Sequence, residues 1–124
     1  MAIDEAATLY HVGGHYEGQS VLYYEPRKIL FCGDALKFDL DANGKTAAVS
    51  CHKAFHKQIP LSKKEIETYL HVIGGLDFTQ ACTPFEHASD ASTALARRLF
   101  EEQLASHRTT AAPLFLNGTT AEES

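Results

Sequence analysis

The stretch SVLYYEPRKILFCGD, residues 20–34, decides the fold. Two runs rich in β-branched, aromatic and other apolar residues flank EPRK, in which Pro26 suits the second position of a tight turn. We therefore predict two strands that pair as an antiparallel hairpin. Apolar residues occupy both faces of both strands. In an antiparallel sheet with one solvent-exposed face, apolar and polar residues alternate along each strand. Both faces are therefore predicted to be covered, one by helices and the other by a further layer.

Further strands are predicted on either side of this hairpin. TLYHV, residues 8–12, indicates a short strand that ends at two glycines, and FTQACTPF, residues 78–85, indicates another. DLDANGK, residues 39–45, is a polar loop with an Asn-Gly turn signal. The segment that follows, residues 46–56, is either a strand or a loop that leads into a helical turn.

Two helices complete the predicted elements. The first begins at Ser62, because Ser62 and Glu65 form a capping box and apolar residues then recur at helical spacing. The second is predicted from residue 89 or 90 to residue 107. The order strand, hairpin, helix, strand, helix indicates an α/β or α+β fold, with one mixed sheet and helices on one face. We expect a single domain over residues 1–110 and a partly disordered tail over residues 111–124.

Composition excludes several classes of protein. The chain has 124 residues and a net charge of −5, without a basic patch, which argues against a nucleic-acid partner. No apolar run is long enough to cross a membrane, and MAIDEAATLY lacks the basic and apolar regions of a secretory signal. The three cysteines are odd in number and lie outside any CxxC pair. They predict ordinary thiols in a reducing, cytoplasmic setting.

Three residues at predicted strand ends could bind a metal ion. His15 lies in a glycine-flanked loop before a strand, Asp34 directly follows the hairpin, and His87 follows the strand over residues 78–85. Loops at strand ends of one sheet converge, and two imidazoles with one carboxylate suit zinc, iron or manganese. The plainer alternatives are a loop histidine, an aspartate that caps a turn and a residue at a helix N-terminus. The pair His52 and His56 could clamp a metal on a helix, although a surface pair is the default interpretation.

The motifs around these residues resemble the metallo-β-lactamase superfamily. Residues 14–20 stand for its GHTxGS-like loop, Gly33 with Asp34 stands for the GD at a strand end, and His87 stands for the final histidine. The resemblance implies that His15 ligates a first metal, that His87 ligates a second and that Asp34 bridges them. Zinc is the expected ion, with iron or manganese as alternatives, and a metal-bound hydroxide is the implied nucleophile.

The chain resembles only the C-terminal half of the domain that defines that family. The HxHxDH signature, which supplies the remaining metal ligands, is absent from the sequence. The resemblance therefore implies half of an αββα sandwich, in which each metal keeps two protein ligands where catalytic zinc has three. The uncovered apolar face predicts a homodimer packed sheet on sheet, or a complex with a separate N-terminal half.

Three functions follow as hypotheses. The first is a truncated, metal-dependent hydrolase of a small-molecule substrate, whose activity requires a dimer partner or a second half. The second is a non-catalytic remnant that acts as a binding or assembly module. The third is a mononuclear metal protein with two histidines and one aspartate. The sequence leaves the substrate open in every case.

Overall fold

A computed structural model describes residues 6–14, 17–51, 61–105 and 114–116. These residues form two helices and eight short strands, with a 3₁₀ turn after the second strand and another after the first helix. The helices are α1 (Lys63–Val72) and α2 (Thr93–Ala105). The strands are β1 (Ala7–His11), β2 (Ser20–Tyr24), β3 (Ile29–Phe31), β4 (Lys37–Leu40), β5 (Thr46–Ser50), β6 (Gln80–Cys82), β7 (His87–Ala88) and β8 (Leu114–Phe115).

The predicted α+β class is confirmed, and so is the hairpin at its centre. Strands β2 and β3 pair antiparallel, with Leu22 opposite Phe31 and Tyr24 opposite Ile29. They lie in a five-stranded sheet of order β1-β2-β3-β6-β7. Its β3–β6 pair is parallel and its other pairs are antiparallel, so the sheet is mixed, as predicted.

The prediction of a single sheet is wrong, because the described residues form a second sheet of order β4-β5-β8. The Asn-Gly signal marks the turn of the β4–β5 hairpin. In this turn a carboxylate oxygen of Asp41 accepts hydrogen bonds from the backbone N–H groups of Asn43 and Lys45, at 2.8 and 3.0 Å. Gly44 adopts a positive φ of 78° there. The polar residues predicted as a loop therefore order a turn between two strands.

The five-stranded sheet has two unlike faces. Cross-strand partners share a face, so the register divides the side chains into an inner and an outer set. Apart from Thr8, the inner set joins or packs against the core cluster that contains Ile66, Tyr69, Leu99 and Phe100 from the helices. Its members are Thr8, Tyr10, Val21, Tyr23, Leu30, Ala81 and Ala88. The helices therefore cover the inner face.

Helix α2 begins later than predicted. The carboxylate of Asp90 accepts hydrogen bonds from the backbone N–H and the hydroxyl of Thr46, at 3.1 and 2.7 Å, and so ties the start of β5 to the segment before α2. The hydroxyl of Thr93 donates to the carbonyl of Leu76 at 2.6 Å. Asp90 therefore fastens the second sheet, and the helix starts three residues after it.

Strand β8 lies in the segment predicted as a tail. Leu114 pairs with Val49, and Phe115 with Ala48, and the side chain of Leu114 is buried. This part of the predicted tail therefore completes the second sheet, while the domain boundary at residue 110 stays a prediction. No helix of the described residues is long and apolar enough to cross a membrane.

The start of α1 generates a stability prediction. The Ser62 hydroxyl oxygen accepts a hydrogen bond from the Glu65 N–H at 3.1 Å, and a Glu65 carboxylate oxygen accepts one from the Ser62 N–H at 2.8 Å. Replacing Ser62→Ala removes the acceptor, so we expect a loss of about 1 kcal/mol in the free energy of unfolding, measured in urea. Ser62→Asp keeps an acceptor and should retain stability. Equal losses in both variants would contradict the capping role.

Candidate functional site

Three loops converge at one edge of the five-stranded sheet. Because β2 runs antiparallel to β3 and β3 runs parallel to β6, the start of β2 lies beside the ends of β3 and β6. This edge therefore carries the β1–β2 loop, the residues that follow β3, and the β6–β7 turn. The strand ends that precede or follow the three predicted ligands therefore lie at one edge, and the ligand set itself stays a prediction.

The glycines of the β1–β2 loop meet helix α1. Gly13 and Gly14 adopt positive φ angles of 63° and 87°. A Cβ at Gly14 would lie 2.5 Å from the hydroxyl oxygen of Tyr69 and 2.7 Å from its ring. A side chain at this position would therefore overlap the tyrosine, and glycine is required by contact as well as by conformation.

A buried polar cluster fixes this loop against the helix. The side-chain nitrogen of Gln19 donates to the carbonyl of Gly13 and to the hydroxyl of Tyr69, which in turn donates to the carbonyl of Gly13 at 3.3 Å. Gln19 is 1 % exposed, and among the described residues its Oε1 has no hydrogen-bond partner. The two ends of the loop are thus held by Tyr69. His15, the first predicted ligand, lies outside the described residues.

Asp34 follows β3 and borders a cavity of about 110 Å³. The cavity is also lined by Gly33, Leu36, Lys37, Thr83, Phe85 and Glu86. Its volume is below the roughly 300–1,000 Å³ of pockets that enclose drug-sized molecules. The described residues of this chain therefore provide room for water or a small group beside Asp34, and less than a substrate-sized site needs.

Glu86 has a structural role at the same edge. One of its carboxylate oxygens accepts hydrogen bonds from the N–H of Phe38 at 3.2 Å and from the hydroxyl of Thr83 at 3.0 Å. These bonds join the β6–β7 turn to β4 of the second sheet. The carboxylate is therefore engaged in holding the two sheets together.

His87, the third predicted ligand, lies on the outer face of the five-stranded sheet, and its role as a ligand stays a prediction. It is the first residue of β7 and pairs with Cys82, which places it on the outer face of the sheet. Its Nε2 is 2.7 Å from the side-chain oxygen of Gln80, which lies two residues before Cys82 on β6. The contact with Gln80 therefore holds the His87 ring along the outer face, and His87 does not line the cavity that Asp34 borders.

The cysteines are free thiols, as predicted. Cys32 and Cys51 are buried and Cys82 is half-buried. Burial raises the pKa of Cys32 and of Cys51 to about 12, and it also raises the pKa of Cys82. All three are therefore protonated near neutral pH in the absence of a metal.

The described residues do not by themselves form a complete metal site. They contain no group of three or more histidine, cysteine, aspartate or glutamate side chains placed to hold a metal ion. The alternative pair, His52 and His56, lies outside the described residues, as does His15. Sequence reasoning missed Tyr69 and Gln19, because each is an ordinary helix or loop residue until the fold brings the two together.

No protein-family model, curated protein or solved structure matches the chain.

The contact between Gly14 and Tyr69 predicts unequal effects of two similar substitutions. Gly44→Ala meets no atom within 4 Å, so it should cost the positive-φ penalty alone, about 1–2 kcal/mol. Gly14→Ala adds the overlap with Tyr69 and should cost about 2–5 kcal/mol in the free energy of unfolding. Denaturant titration of both variants measures the difference. Equal costs would show that Tyr69 does not constrain the loop.

Proposed function

We propose that this chain is a metallo-β-lactamase-like half-domain that acts as an assembly module, with a second copy of the chain seated on the outer face of its five-stranded sheet. The observation that carries the proposal is a half-exposed outer face without a single acidic, lysine or arginine side chain at its paired strand positions. Free thiols in the described part of the chain support a reducing, cytoplasmic setting for this assembly.

The outer face is apolar at its centre and polar at its ends. Leu22, Tyr24 and Ile29 are half-buried, and Phe31 on the central strand remains 40 % exposed. The full outer set is Ala7, Leu9, His11, Ser20, Leu22, Tyr24, Ile29, Phe31, Gln80, Cys82 and His87. Exposed apolar area of this kind favours association, since its burial contributes about 25 cal/mol per Å².

Charge favours a second copy as the occupant. The chain is 22 % charged, so a face without these residues contrasts with the chain as a whole. A partner with a charged surface would leave those charges desolvated and unpaired on this face. A second copy presents the same uncharged surface, and a two-fold axis makes the face complementary to itself.

The size of the face indicates a weak dimer. The five strands contain 18 residues, which present roughly 300 Å² at about 4.8 Å between strands and about 3.3 Å per residue. Two such faces bury roughly 600 Å², below the ~1,200 Å² of a standard stable interface. We therefore expect monomer and dimer to exchange with concentration.

Sedimentation equilibrium tests this proposal. The apparent mass should rise from 13.6 kDa toward twice that value with concentration, and added salt should not weaken the association, because the pairing surface is uncharged. Phe31→Ser should abolish the dimer. Glu102→Ser, at an exposed position on α2, is the matched control and should leave it intact. A folded chain that stays at 13.6 kDa across the concentration range, or a dimer that survives Phe31→Ser, would overturn the proposal.

A second candidate function is metal-dependent hydrolysis, and the convergence of the glycine loop, Gly33 and Asp34 at one sheet edge favours it. The described residues alone do not fit a complete metal site, and His15 lies outside them. The chain would therefore need ligands beyond those described, from a second copy or a separate N-terminal half.

Zinc-dependent turnover of a generic ester or lactam tests this candidate. Activity should be lost on addition of a chelator, and Asp34→Ala should lower it at least tenfold, because the carboxylate at the converging edge is then missing. Asp39→Ala is the matched control, since Asp39 is exposed and paired with Lys37 at 2.9 Å. Hydrolysis that persists in chelator, or that Asp34→Ala leaves unchanged, would exclude this function.

A further inference from the structure

Cys82 and His87 face each other on the outer face, across the β6–β7 pair. In the turn between these strands the Thr83 N–H donates to the Glu86 carbonyl at 2.9 Å. Hydrogen-bonded and non-hydrogen-bonded pairs alternate along antiparallel strands, so the Cys82–His87 pair is of the second kind, with Cα atoms about 4.5 Å apart. In such pairs the two side chains lie closest together. The side chains of Cys82 and His87 therefore leave the outer face as cross-strand neighbours.

The imidazole of His87 is held in one orientation. The side-chain nitrogen of Gln80 donates to the carbonyl of Arg27 at 3.4 Å, which turns its Oε1 toward His87. That oxygen lies 2.7 Å from Nε2 of His87 and can only accept, so Nε2 is the donor and Nδ1 is the nitrogen left to bind a metal in the neutral ring. Histidine ligands of metals are commonly fixed in this way, through a hydrogen bond from the ring nitrogen that does not bind the metal.

We propose that Cys82 and His87 form half of a tetrahedral zinc site, and that the same two residues of a second copy complete it. This inference rests on the proposed pairing of two chains across the outer face. Two cysteines and two histidines are a common ligand set of structural zinc, whereas the two ligands of one chain are too few for a closed site. Each thiol releases its proton to solvent as its sulfur binds the metal.

The exposed ring of Phe31 favours a two-fold axis near this pair. Among the described residues, Phe31 and Phe85 are the large apolar side chains that are exposed, at 40 % and 84 %. Phe31 is the cross-strand neighbour of Cys82 on β3, and Phe85 lies on the turn that leads to His87. Phe85 lines the cavity beside Asp34, whereas the exposed ring of Phe31 lies beside Cys82 on the outer face. A metal shared there would strengthen an interface that is small on its own.

Titration with Co²⁺, a spectroscopic substitute for zinc, tests the site. We expect an intense visible spectrum typical of tetrahedral Co²⁺, with a thiolate charge-transfer band, that saturates at one ion per two chains. Zn²⁺ should displace the Co²⁺ and lower the concentration for half-dimerisation at least tenfold in sedimentation equilibrium. Cys82→Ser and His87→Ala should each abolish the band and the shift. His11→Ala, at another exposed histidine of the same face, is the matched control and should keep both.

The outcomes separate this site from the proposed assembly. A dimer that forms equally well in chelator and in zinc, without a thiolate band, overturns the zinc site and leaves the assembly standing. Saturation at one ion per monomer overturns the shared site as well. A band that persists in Cys82→Ser assigns the metal to other residues and also refutes it. Cys82 is half-buried and His87 is exposed, so we expect both variants to remain folded. Circular dichroism checks this.

Discussion

The alternation of side chains along β3 is the constraint on which the rest of the structure depends. Leu30 is fully buried against the helices, while its neighbour Phe31 faces outward and remains 40 % exposed. The strand pairs with β2 on one side and β6 on the other, so its register sets the faces of the whole five-stranded sheet. A slip of one residue would move every apolar side chain to the opposite face. The inner core and the outer surface are therefore fixed together by one short strand.

The sequence predicted the elements whose signals are local. The β2–β3 hairpin could be predicted because two dense apolar runs flank a proline turn. Helix α1 could be predicted because Ser62 and Glu65 cap each other across one helical turn. The second sheet could not be predicted, since β4 carries little alternation beyond Phe38, and β8, the partner of β5, comes from the distant end of the chain. Strand β7, with two residues, is too short for any periodicity.

The sequence predicted where in the fold the candidate site lies, but not how its side chains are arranged. Order along the chain was enough to bring the glycine loop, Asp34 and the β6–β7 turn to one sheet edge. It could not show on which face of its strand His87 lies, because this depends on pairing with Cys82. Nor could it show that Gly14 packs on the ring of Tyr69, a contact between a loop and a helix far apart in sequence. Such contacts are set by tertiary packing, for which the local pattern carries no signal.

The late position of β8 has a consequence for how the chain acquires its fold. All strands of the five-stranded sheet and both helices lie before residue 106, whereas the edge of β5 is paired by Leu114 and Phe115. During synthesis the first sheet can therefore form while that edge still lacks its neighbour. Contacts of such long sequence separation close slowly. A nascent or shortened chain would thus expose unpaired backbone on β5, where strands of other molecules could add.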